Sequence, residues 1–258
     1  MNIGKVMLVG AGPGDPELLT LKALRAIAGA DVVIYDRLVA PEILDLIPVG
    51  AARISVGKQA GRHPIAQHEI NEMLVRAARG GRCVVRLKGG DPFIFGRGCE
   101  EAAELARAGI PFEVVPGITA AQGCAAAAGV PLTHRGLATG VRYVTGHCKA
   151  DEPLDLDWAS LADPATTLVV YMGLLNLDEI VRRLIEHGLP ADTPVLAMSQ
   201  GTTSRERRVC AALFELPAAI RRSGLVGPLL FIIGRVAALS AEGKQKHERI
   251  ANPAAKRA

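Results

Sequence analysis

The sequence is poor in aromatic residues and has no long apolar run. Its 258 residues include five Phe, three Tyr and one Trp, although 49% of the residues are hydrophobic. Aliphatic and alanine side chains must therefore fill the core. Because aromatics are scarce and basic residues are scattered among acidic ones, the composition argues against a nucleic-acid-binding module. No apolar stretch approaches the roughly 20 residues that a membrane helix needs, so we expect no membrane association.

The cysteines form no C-x-x-C pair, which excludes the usual zinc-site pattern. There are five of them, at Cys83, Cys99, Cys124, Cys148 and Cys210. An odd number without paired spacing predicts reduced thiols and not a disulfide framework. No spaced set of His and carboxylate residues suggests a metal ligand set. The opening residues are polar and lead directly into a short strand, so we expect no signal peptide and a cytoplasmic protein.

The first half of the chain alternates apolar runs of strand length with helical patterns. Residues 6–9 predict a buried strand, and Asp15 with Pro16 predicts an N-cap and the first turn of a helix that has Leu21 and Leu24 at helical spacing. A second apolar strand follows. This β-loop-α-β order predicts a parallel sheet. The second half offers five strand candidates with fewer helices between them, which favours a mixed sheet.

We therefore predict the α/β fold class with two α/β domains. The first domain is expected over residues 1–137, the second over 138–241, and a basic, disordered tail over 242–258. Strand ends in both halves carry glycine. Ligands bind at the carboxyl ends of the strands in open α/β sheets, so we expect the active site in the cleft between the two domains.

Residues 84–98 are the strongest candidate for a ligand pocket. An apolar strand runs into four glycines within ten residues, and glycine allows a close approach of the backbone to a ligand. Phe93, Ile94 and Phe95 supply an apolar wall, and Arg97 adds a planar fork of donors. A glycine-rich loop without a ligand is the alternative. The convergence of apolar, acidic and cationic groups in one short loop favours the pocket.

The loop after the first strand resembles a dinucleotide-binding turn but lacks its third glycine. Gly10 and Gly12 fit that fingerprint, whereas Asp15 occupies the sixth position, where its carboxylate would face the pyrophosphate. Pro13 also removes one backbone donor. Asp36, about 20 residues further on at a strand end, would be the ribose ligand. A nicotinamide-dependent oxidoreductase therefore stays as the weaker alternative.

Six motifs, taken together, resemble the tetrapyrrole methylase family. They occur in order within residues 6–236, namely GAGPGD at 10–15, YDRLV at 35–39, VGKQAG at 56–61, the stretch 85–98, VPGITA at 115–120 and PLTHR at 131–135. The second and third motifs favour the branch of the family that acts on uroporphyrinogen III. A methylase for a later corrin intermediate, for diphthine or for ribosomal RNA is the alternative within the family.

The resemblance implies a C-methyltransferase that uses S-adenosylmethionine, releases S-adenosylhomocysteine and needs no metal. It implies methylation of uroporphyrinogen III at C2 and C7, which gives precorrin-2 by way of precorrin-1. It also implies a homodimer with the donor bound between two α/β domains. The implied cofactor residues are Pro13, Gly89, Gly90, Asp91, Ile94, Thr119, Ala120, Met172, Gly201 and Pro228.

The same resemblance implies which residues act on the substrate. Asp36 is implied as proton acceptor and Lys58 as proton donor, while Arg97, Glu100 and Arg135 are implied to hold substrate and assist proton removal. A guanidinium stays protonated, so we expect Arg97 to bind carboxylates and not to act as a base. The substrate carries many carboxylates, which Arg can bind in bidentate fashion. The expected substrate-binding residues are Arg37, Arg62, Arg97 and Arg135.

Overall fold

The computed structural model describes residues 3–57, 65–147 and 154–240. The chain divides into two compact units, Met1–Ala120 and Ala121–Ala258. Each unit is built on one five-stranded sheet. The predicted domain limits, with a boundary after residue 137, stay a prediction. The predicted tail over 242–258 lies outside the described residues.

The sheet of the first unit is parallel. Its strands are β1 (Lys5–Gly10), β2 (Val32–Tyr35), β3 (Ala52–Ser55), β4 (Cys83–Lys88) and β5 (Phe112–Val115). They lie in the order β3-β2-β4-β1-β5, and every pair is parallel. Successive residues of β1 enter different cores, since Leu8 packs in one hydrophobic cluster and Val9 in another. Burial on both faces explains why β2 and residues 6–9 of β1 are apolar.

Helices cover both faces of this sheet. They are α1 (Leu21–Ala28), α2 (Pro41–Leu44), α3 (Gln67–Arg79) and α4 (Gly98–Arg107). Ile70 and Leu74 of α3 are buried, as the helical spacing predicts. The start predicted for the first helix was wrong, because Asp15 caps only a short 3₁₀ turn over Pro16–Leu18 and the hydroxyl of Thr20 caps α1.

The sheet of the second unit is mixed. Its strands are β6 (Gly140–Thr145), β7 (Thr166–Tyr171), β8 (Pro194–Ser199), β9 (Arg207–Ala212) and β10 (Leu229–Ile233). They lie in the order β6-β7-β10-β8-β9. The β6–β7 pair is parallel, whereas β10 runs antiparallel to both β7 and β8, and β9 runs antiparallel to β8. The predicted α/β class, with a mostly parallel first sheet and a mixed second sheet, is confirmed.

One face of the second sheet packs against helices in a single cluster of buried apolar residues. The remaining helices are α5 (Ala120–Ala127), α6 (Trp158–Leu161), α7 (Leu177–Glu186) and α8 (Leu216–Ser223). Ile180 and Leu184 of α7 pack in one cluster with Phe231 of β10. Among the described helices, none combines the length and apolarity that crossing a bilayer would require.

Candidate active site

The loops that follow β1, β4 and β5 meet at the carboxyl edge of the first sheet. Gly12 N–H donates to the Gly90 carbonyl oxygen at 3.1 Å, and Gly90 N–H donates to the Gly12 carbonyl oxygen at 2.7 Å. A Cβ on Gly10 would lie 2.6 Å from the Cα of Gly117, and a Cβ on Gly117 would lie 2.3 Å from the Gly90 carbonyl oxygen. Only glycine fits such contacts. The three loops are therefore packed backbone on backbone.

Asp91 joins two of these loops through its side chain. One carboxylate oxygen, Oδ2, accepts the N–H of Gly117 at 3.0 Å, and the other, Oδ1, accepts the N–H of Phe93 at 2.8 Å. A carboxylate that accepts two backbone N–H groups holds both segments in a defined position. Asp91 thus organises the edge at which the sequence predicts a ligand.

Several other predicted cofactor residues lie along the same edge. A Cβ on Gly90 would lie 3.8 Å from both Ala120 N and the Thr119 Cα, so the β4 loop contacts the start of α5. Ile94 lies within an exposed apolar run that also contains Phe93 and Phe95. Pro13 lies between Gly12 and Gly14 in the loop after β1. Packing requires glycine at position 89, because a Cβ there would lie 2.6 Å from the Cβ of Leu38.

The predicted cofactor residues of the second unit also share one sheet edge. Met172 follows β7, Gly201 follows β8, and Pro228 immediately precedes β10. Because Leu230 pairs with the last residue of β7 and Leu229 with the last residue of β8, all three positions lie at the same end of this sheet. The structure therefore brings together, within this unit, residues that are far apart in the sequence.

Left-handed backbone conformations at non-glycine residues concentrate at these two edges. Phe95 and Arg97 have φ of 53° and 58°, and Met172, Gln200 and Thr202 have φ of 54°, 49° and 66°. Such conformations cost on the order of 1–3 kcal/mol each and persist where the surroundings impose them. Arg97 and Met172 are predicted site residues.

Gly201, between two of these strained residues, packs directly against Cys124. A Cβ on Gly201 would lie 2.3 Å from the Cys124 Sγ. Burial raises the pKa of the Cys124 thiol to about 12, so this sulfur is a packing group and not a nucleophile. Cys83 and Cys99 are also free thiols, the sulfur of Cys210 lies 3.3 Å from the hydroxyl oxygen of Ser240, and Cys148 lies outside the described residues.

Asp36 lies in the loop after β2 and keeps a partly exposed carboxylate. Its Oδ1 accepts the N–H of Leu38 at 2.9 Å, and its side chain is 26% exposed. Its Oδ2 lies 4.0 Å from a guanidinium nitrogen of Arg86. The predicted proton donor Lys58 and the predicted substrate ligand Arg62 lie outside the described residues.

Arg97 and Glu100 form a bidentate ion pair. Arg97 Nε donates to Glu100 Oε1 at 2.8 Å, and its terminal nitrogen donates to Oε2 at 2.7 Å. This hydrogen bonding raises the pKa of Arg97 and lowers the pKa of Glu100. Both side chains are about half exposed, at 57% and 47%, so the pair contributes only about 0–1 kcal/mol and can be exchanged. The fork predicted for the substrate is thus held by Glu100 in this structure.

The other two predicted arginines differ in what surrounds them. Arg37 is exposed, and its backbone packs on Gly57, where a Cβ would lie 2.7 Å from the Arg37 nitrogen. Arg135 is exposed on the segment after α5, and its carbonyl oxygen lies 2.7 Å from His134 Nδ1. Both side chains are therefore accessible to an anionic ligand.

The sequence reasoning missed a buried ionic cluster on β4 and α4. Glu101 Oε1 accepts hydrogen bonds from Arg86 Nε at 2.9 Å, Lys88 Nζ at 3.0 Å and Gln67 Nε2 at 3.2 Å. Burial and the nearby Arg86 charge lower the pKa of Lys88, which Glu101 opposes. The signal was present, since two cations at alternate positions of an apolar strand must lie on one face. Over residues 3–57, 65–147 and 154–240, no group of His, Cys, Asp and Glu could hold a metal ion.

Comparisons with known proteins agree with this arrangement. The family model for Tetrapyrrole (Corrin/Porphyrin) Methylases matches residues 5–217. A uroporphyrinogen-III C-methyltransferase from Paracoccus denitrificans is 59% identical over 239 residues, which are 93% of this chain and 83% of that protein. A siroheme synthase from Azotobacter vinelandii is 59% identical over 237 residues, which are 92% of this chain and 51% of that protein. The chain thus spans about half the length of that siroheme synthase.

A solved structure gives the same result. The crystal structure of uroporphyrin-III C-methyl transferase from Thermus thermophilus, complexed with S-adenyl homocysteine, is similar with a TM-score of 0.77 and 44% identity. The match covers 92% of this chain and all of that chain. The family resemblance predicted from the six motifs is confirmed. This chain belongs to the tetrapyrrole (corrin/porphyrin) methylase family.

Proposed function

We propose that this chain methylates uroporphyrinogen III at C2 and C7 with S-adenosylmethionine, giving precorrin-2 by way of precorrin-1. The observation that carries this proposal is the 59% identity, over 93% of the chain, to a protein named uroporphyrinogen-III C-methyltransferase. The donor is supported by a 44% identical relative whose crystal structure contains S-adenyl homocysteine. A later corrin intermediate is the alternative substrate within the family.

The loop after β1 favours this donor over a dinucleotide. Asp15 Oδ1 accepts a hydrogen bond from the N–H of Glu17 at 2.8 Å. A pyrophosphate bound at a helix start would need backbone N–H groups of this kind, and here one is already occupied. The turn that follows is a 3₁₀ turn of three residues, Pro16–Leu18, and not a long helix with a free N-terminus. These features disfavour the nicotinamide-dependent alternative, because its fingerprint requires unoccupied N–H groups there.

The proposed donor site combines half-buried glycines, Gly89 and Gly90, with the exposed apolar side chain of Ile94. The bound donor supplies an electrophilic sulfonium methyl group, so the protein need not form a covalent bond to substrate. The tasks of this chain are to orient the reactants, exclude water and handle a proton. Asp91 and the packed glycines keep the first edge rigid for this purpose. The residues that we assign to the donor are Pro13, Gly89, Gly90, Asp91, Ile94, Thr119, Ala120, Met172, Gly201 and Pro228.

Asp36 is our candidate for the proton acceptor, with Lys58 as the proton donor. The Leu38 N–H orients the Asp36 carboxylate, and its partial exposure allows contact with a substrate. Glu100 is the weaker candidate, because its hydrogen bonds from Arg97 lower its pKa and stabilise its deprotonated form. Arg37, Arg62, Arg97 and Arg135 are proposed to bind the substrate carboxylates, with Arg97 exchanging Glu100 for the substrate.

The family resemblance also supports the remaining proposals. We propose two domains, over residues 1–137 and 138–241. We propose a homodimer that works in the cytoplasm and binds no nucleic acid. Gel filtration with light scattering tests the dimer independently of catalysis.

Product mass after anaerobic turnover tests the function. The protein is incubated with uroporphyrinogen III and S-adenosylmethionine, and the product is analysed by mass spectrometry. Two added methyl groups are the expected result. The same protein is also assayed with a later corrin intermediate. Methylation of that intermediate, with no methyl group added to uroporphyrinogen III, would contradict the proposal and identify the later corrin as the substrate.

A further inference from the structure

The side chains of Arg86, Lys88 and Glu101 form a cluster of buried charges that the assigned site does not use. Arg86 and Lys88 are each 3% exposed, and Glu101 is fully buried. Burying ions is costly, and apolar residues of similar volume often give equal or greater stability. Stability alone is therefore a poor explanation for three charges in the core of the first unit.

Each donor group of Arg86 points in a fixed direction. Its Nε donates to Glu101, and one terminal nitrogen donates to the carbonyl oxygens of Leu87 at 3.2 Å and Ile34 at 3.4 Å. The remaining terminal nitrogen lies 4.0 Å from Asp36 Oδ2. Because the bonds to Glu101 and the two carbonyls engage two of its three nitrogens, the guanidinium cannot rotate away from Asp36 without breaking them.

Asp36 is held from two sides, and among the described residues its Oδ2 has only the 4.0 Å approach of Arg86. The Leu38 N–H binds Oδ1 at 2.9 Å, whereas the distance from Arg86 to Oδ2 is that of an ion pair and exceeds a hydrogen bond. Arg86 therefore attracts the negative charge of Asp36 while its own N–H leaves the Oδ2 lone pairs open to a proton. A general base needs such an orientation.

The four side chains also balance in charge. Arg86 and Lys88 contribute two positive charges, and Glu101 and ionised Asp36 contribute two negative charges. Arg86 and Lys88 both donate to Oε1 of Glu101, and Arg86 also faces Asp36, so the four charges adjoin one another.

We propose that Arg86 is a positioning residue for Asp36, locked in place by Glu101, Lys88 and Gln67, and that it acts on proton transfer through Asp36 alone. The inference rests on the proposed function, in which Asp36 accepts the proton. Arg86 is not assigned contact with either substrate.

A double-mutant cycle tests this dependence. Single-turnover methyl transfer is measured for wild type, Arg86→Met, Asp36→Asn and the double variant. Because general bases contribute roughly 10²–10⁴-fold, we expect Arg86→Met to slow wild-type transfer at least about 10-fold. In the Asp36→Asn background we expect it to slow transfer less than about twofold, since coupled residues are non-additive. An equal factor in both backgrounds would assign Arg86 a merely structural role and overturn the proposal.

Arg53→Met is the matched control. Arg53 lies on β3 of the same sheet and donates to a backbone carbonyl, that of Ile47, at 2.6 Å. The Arg53→Met substitution removes an arginine from this sheet and leaves the contacts among Asp36, Arg86 and Glu101 unchanged. We expect transfer by this variant to stay within about twofold of wild type, as for changes away from an interacting group.

A spectroscopic measurement needs no substrate and separates this inference from the proposed function. The carboxyl ¹³C resonance of Asp36 is recorded with ¹³C-labelled aspartate and assigned by its loss in Asp36→Asn. We expect it to move in Arg86→Met and to stay in Arg53→Met. Where Arg86→Met does not fold, Glu101→Gln or Arg86→Lys takes its place, because each disturbs the Arg86–Glu101 pair while keeping side-chain volume. An unmoved resonance overturns the inference, whereas inactive wild-type protein in the first assay overturns only the function.

Discussion

The two units hold their candidate site residues in different ways. At the edge of the first sheet, Gly10, Gly90 and Gly117 press main chain against main chain, and Asp91 ties two loops together. At the edge of the second sheet, strained non-glycine residues surround Gly201, which packs against the side chain of Cys124. Backbone cannot move aside easily, whereas a side chain can. The first edge should therefore tolerate substitution less than the second.

Gly117→Ala should have the largest effect on stability. Its Cβ would lie 2.3 Å from the Gly90 carbonyl oxygen, so the three loops must separate. We expect a loss of about 1–3 kcal/mol or more in the free energy of unfolding, as for overpacked cores. Urea unfolding measures this. Gly50→Ala is the control, because nothing lies within 4 Å of its Cβ position. Equal stabilities of the two variants would break the comparison.

Gly201→Ala should lower the stability of the protein, and Cys124→Ala should restore part of it. Here the obstacle is the Cys124 sulfur at 2.3 Å, while the Cys124 Cβ lies at 3.5 Å. We expect Gly201→Ala to lose about 1–2 kcal/mol from overpacking, and Cys124→Ala to restore part of that loss in the double variant. Thermal unfolding of the four proteins measures the coupling. Purely additive losses would mean that this edge is as rigid as the first one.

Gln200→Gly should stabilise the protein slightly. The φ of Gln200 is 49°, which costs a residue with a Cβ about 1–2 kcal/mol, and the flexibility of glycine offsets about 0.5–1 kcal/mol. We expect a net gain of roughly 0.5 kcal/mol in unfolding free energy. Gly90, at a φ of 70°, already is glycine at the first edge. A loss of stability would show that the Gln200 side chain matters more than its backbone strain.

Glu100→Gln should have the smallest effect. The Arg97–Glu100 pair is exposed and its residues are three apart in the chain, so we expect a loss of no more than about 0.3–0.5 kcal/mol. Hydrogen bonds from Arg97 lower the pKa of Glu100, so this contribution is present above the pKa of the unfolded chain and disappears as the pH falls through the folded value. Urea unfolding of both proteins at neutral and acidic pH measures the difference. A difference that grows in acid would contradict the assigned pair.

Local patterns in the sequence predict the strands well and the packing between them only in part. An apolar run bounded by glycine predicts β1, because a strand that is buried on both faces requires mostly apolar residues. The glycines after β4 are predicted to admit a ligand, and one of them, Gly90, packs against the backbone of Gly12 and Gly117. Glycines in a sequence indicate that another group approaches the backbone closely, but they do not show whether that group is a ligand or another segment of the chain.

Contacts between distant residues explain what the sequence did not reveal. Glu101 lies beside Gln67 and Arg86 only once α3, α4 and β4 are assembled. The helix predicted from Leu21 and Leu24 exists, but both leucines are exposed and its buried face includes Ile27. The spacing of the leucines predicts the helix, but the face that becomes buried depends on how the helix packs on the sheet. Roles for Asp36, Lys58 and the arginines stay predictions that came from the family motifs.

The decisive measurement is the mass of the product that wild type and Asp36→Asn form in a single anaerobic incubation with uroporphyrinogen III and S-adenosylmethionine. We expect two added methyl groups from wild type. We expect a turnover rate lower by about 10²-fold or more for Asp36→Asn, with binding of S-adenosylhomocysteine unchanged. Wild-type protein that binds S-adenosylhomocysteine yet leaves uroporphyrinogen III unmethylated would contradict the proposed function.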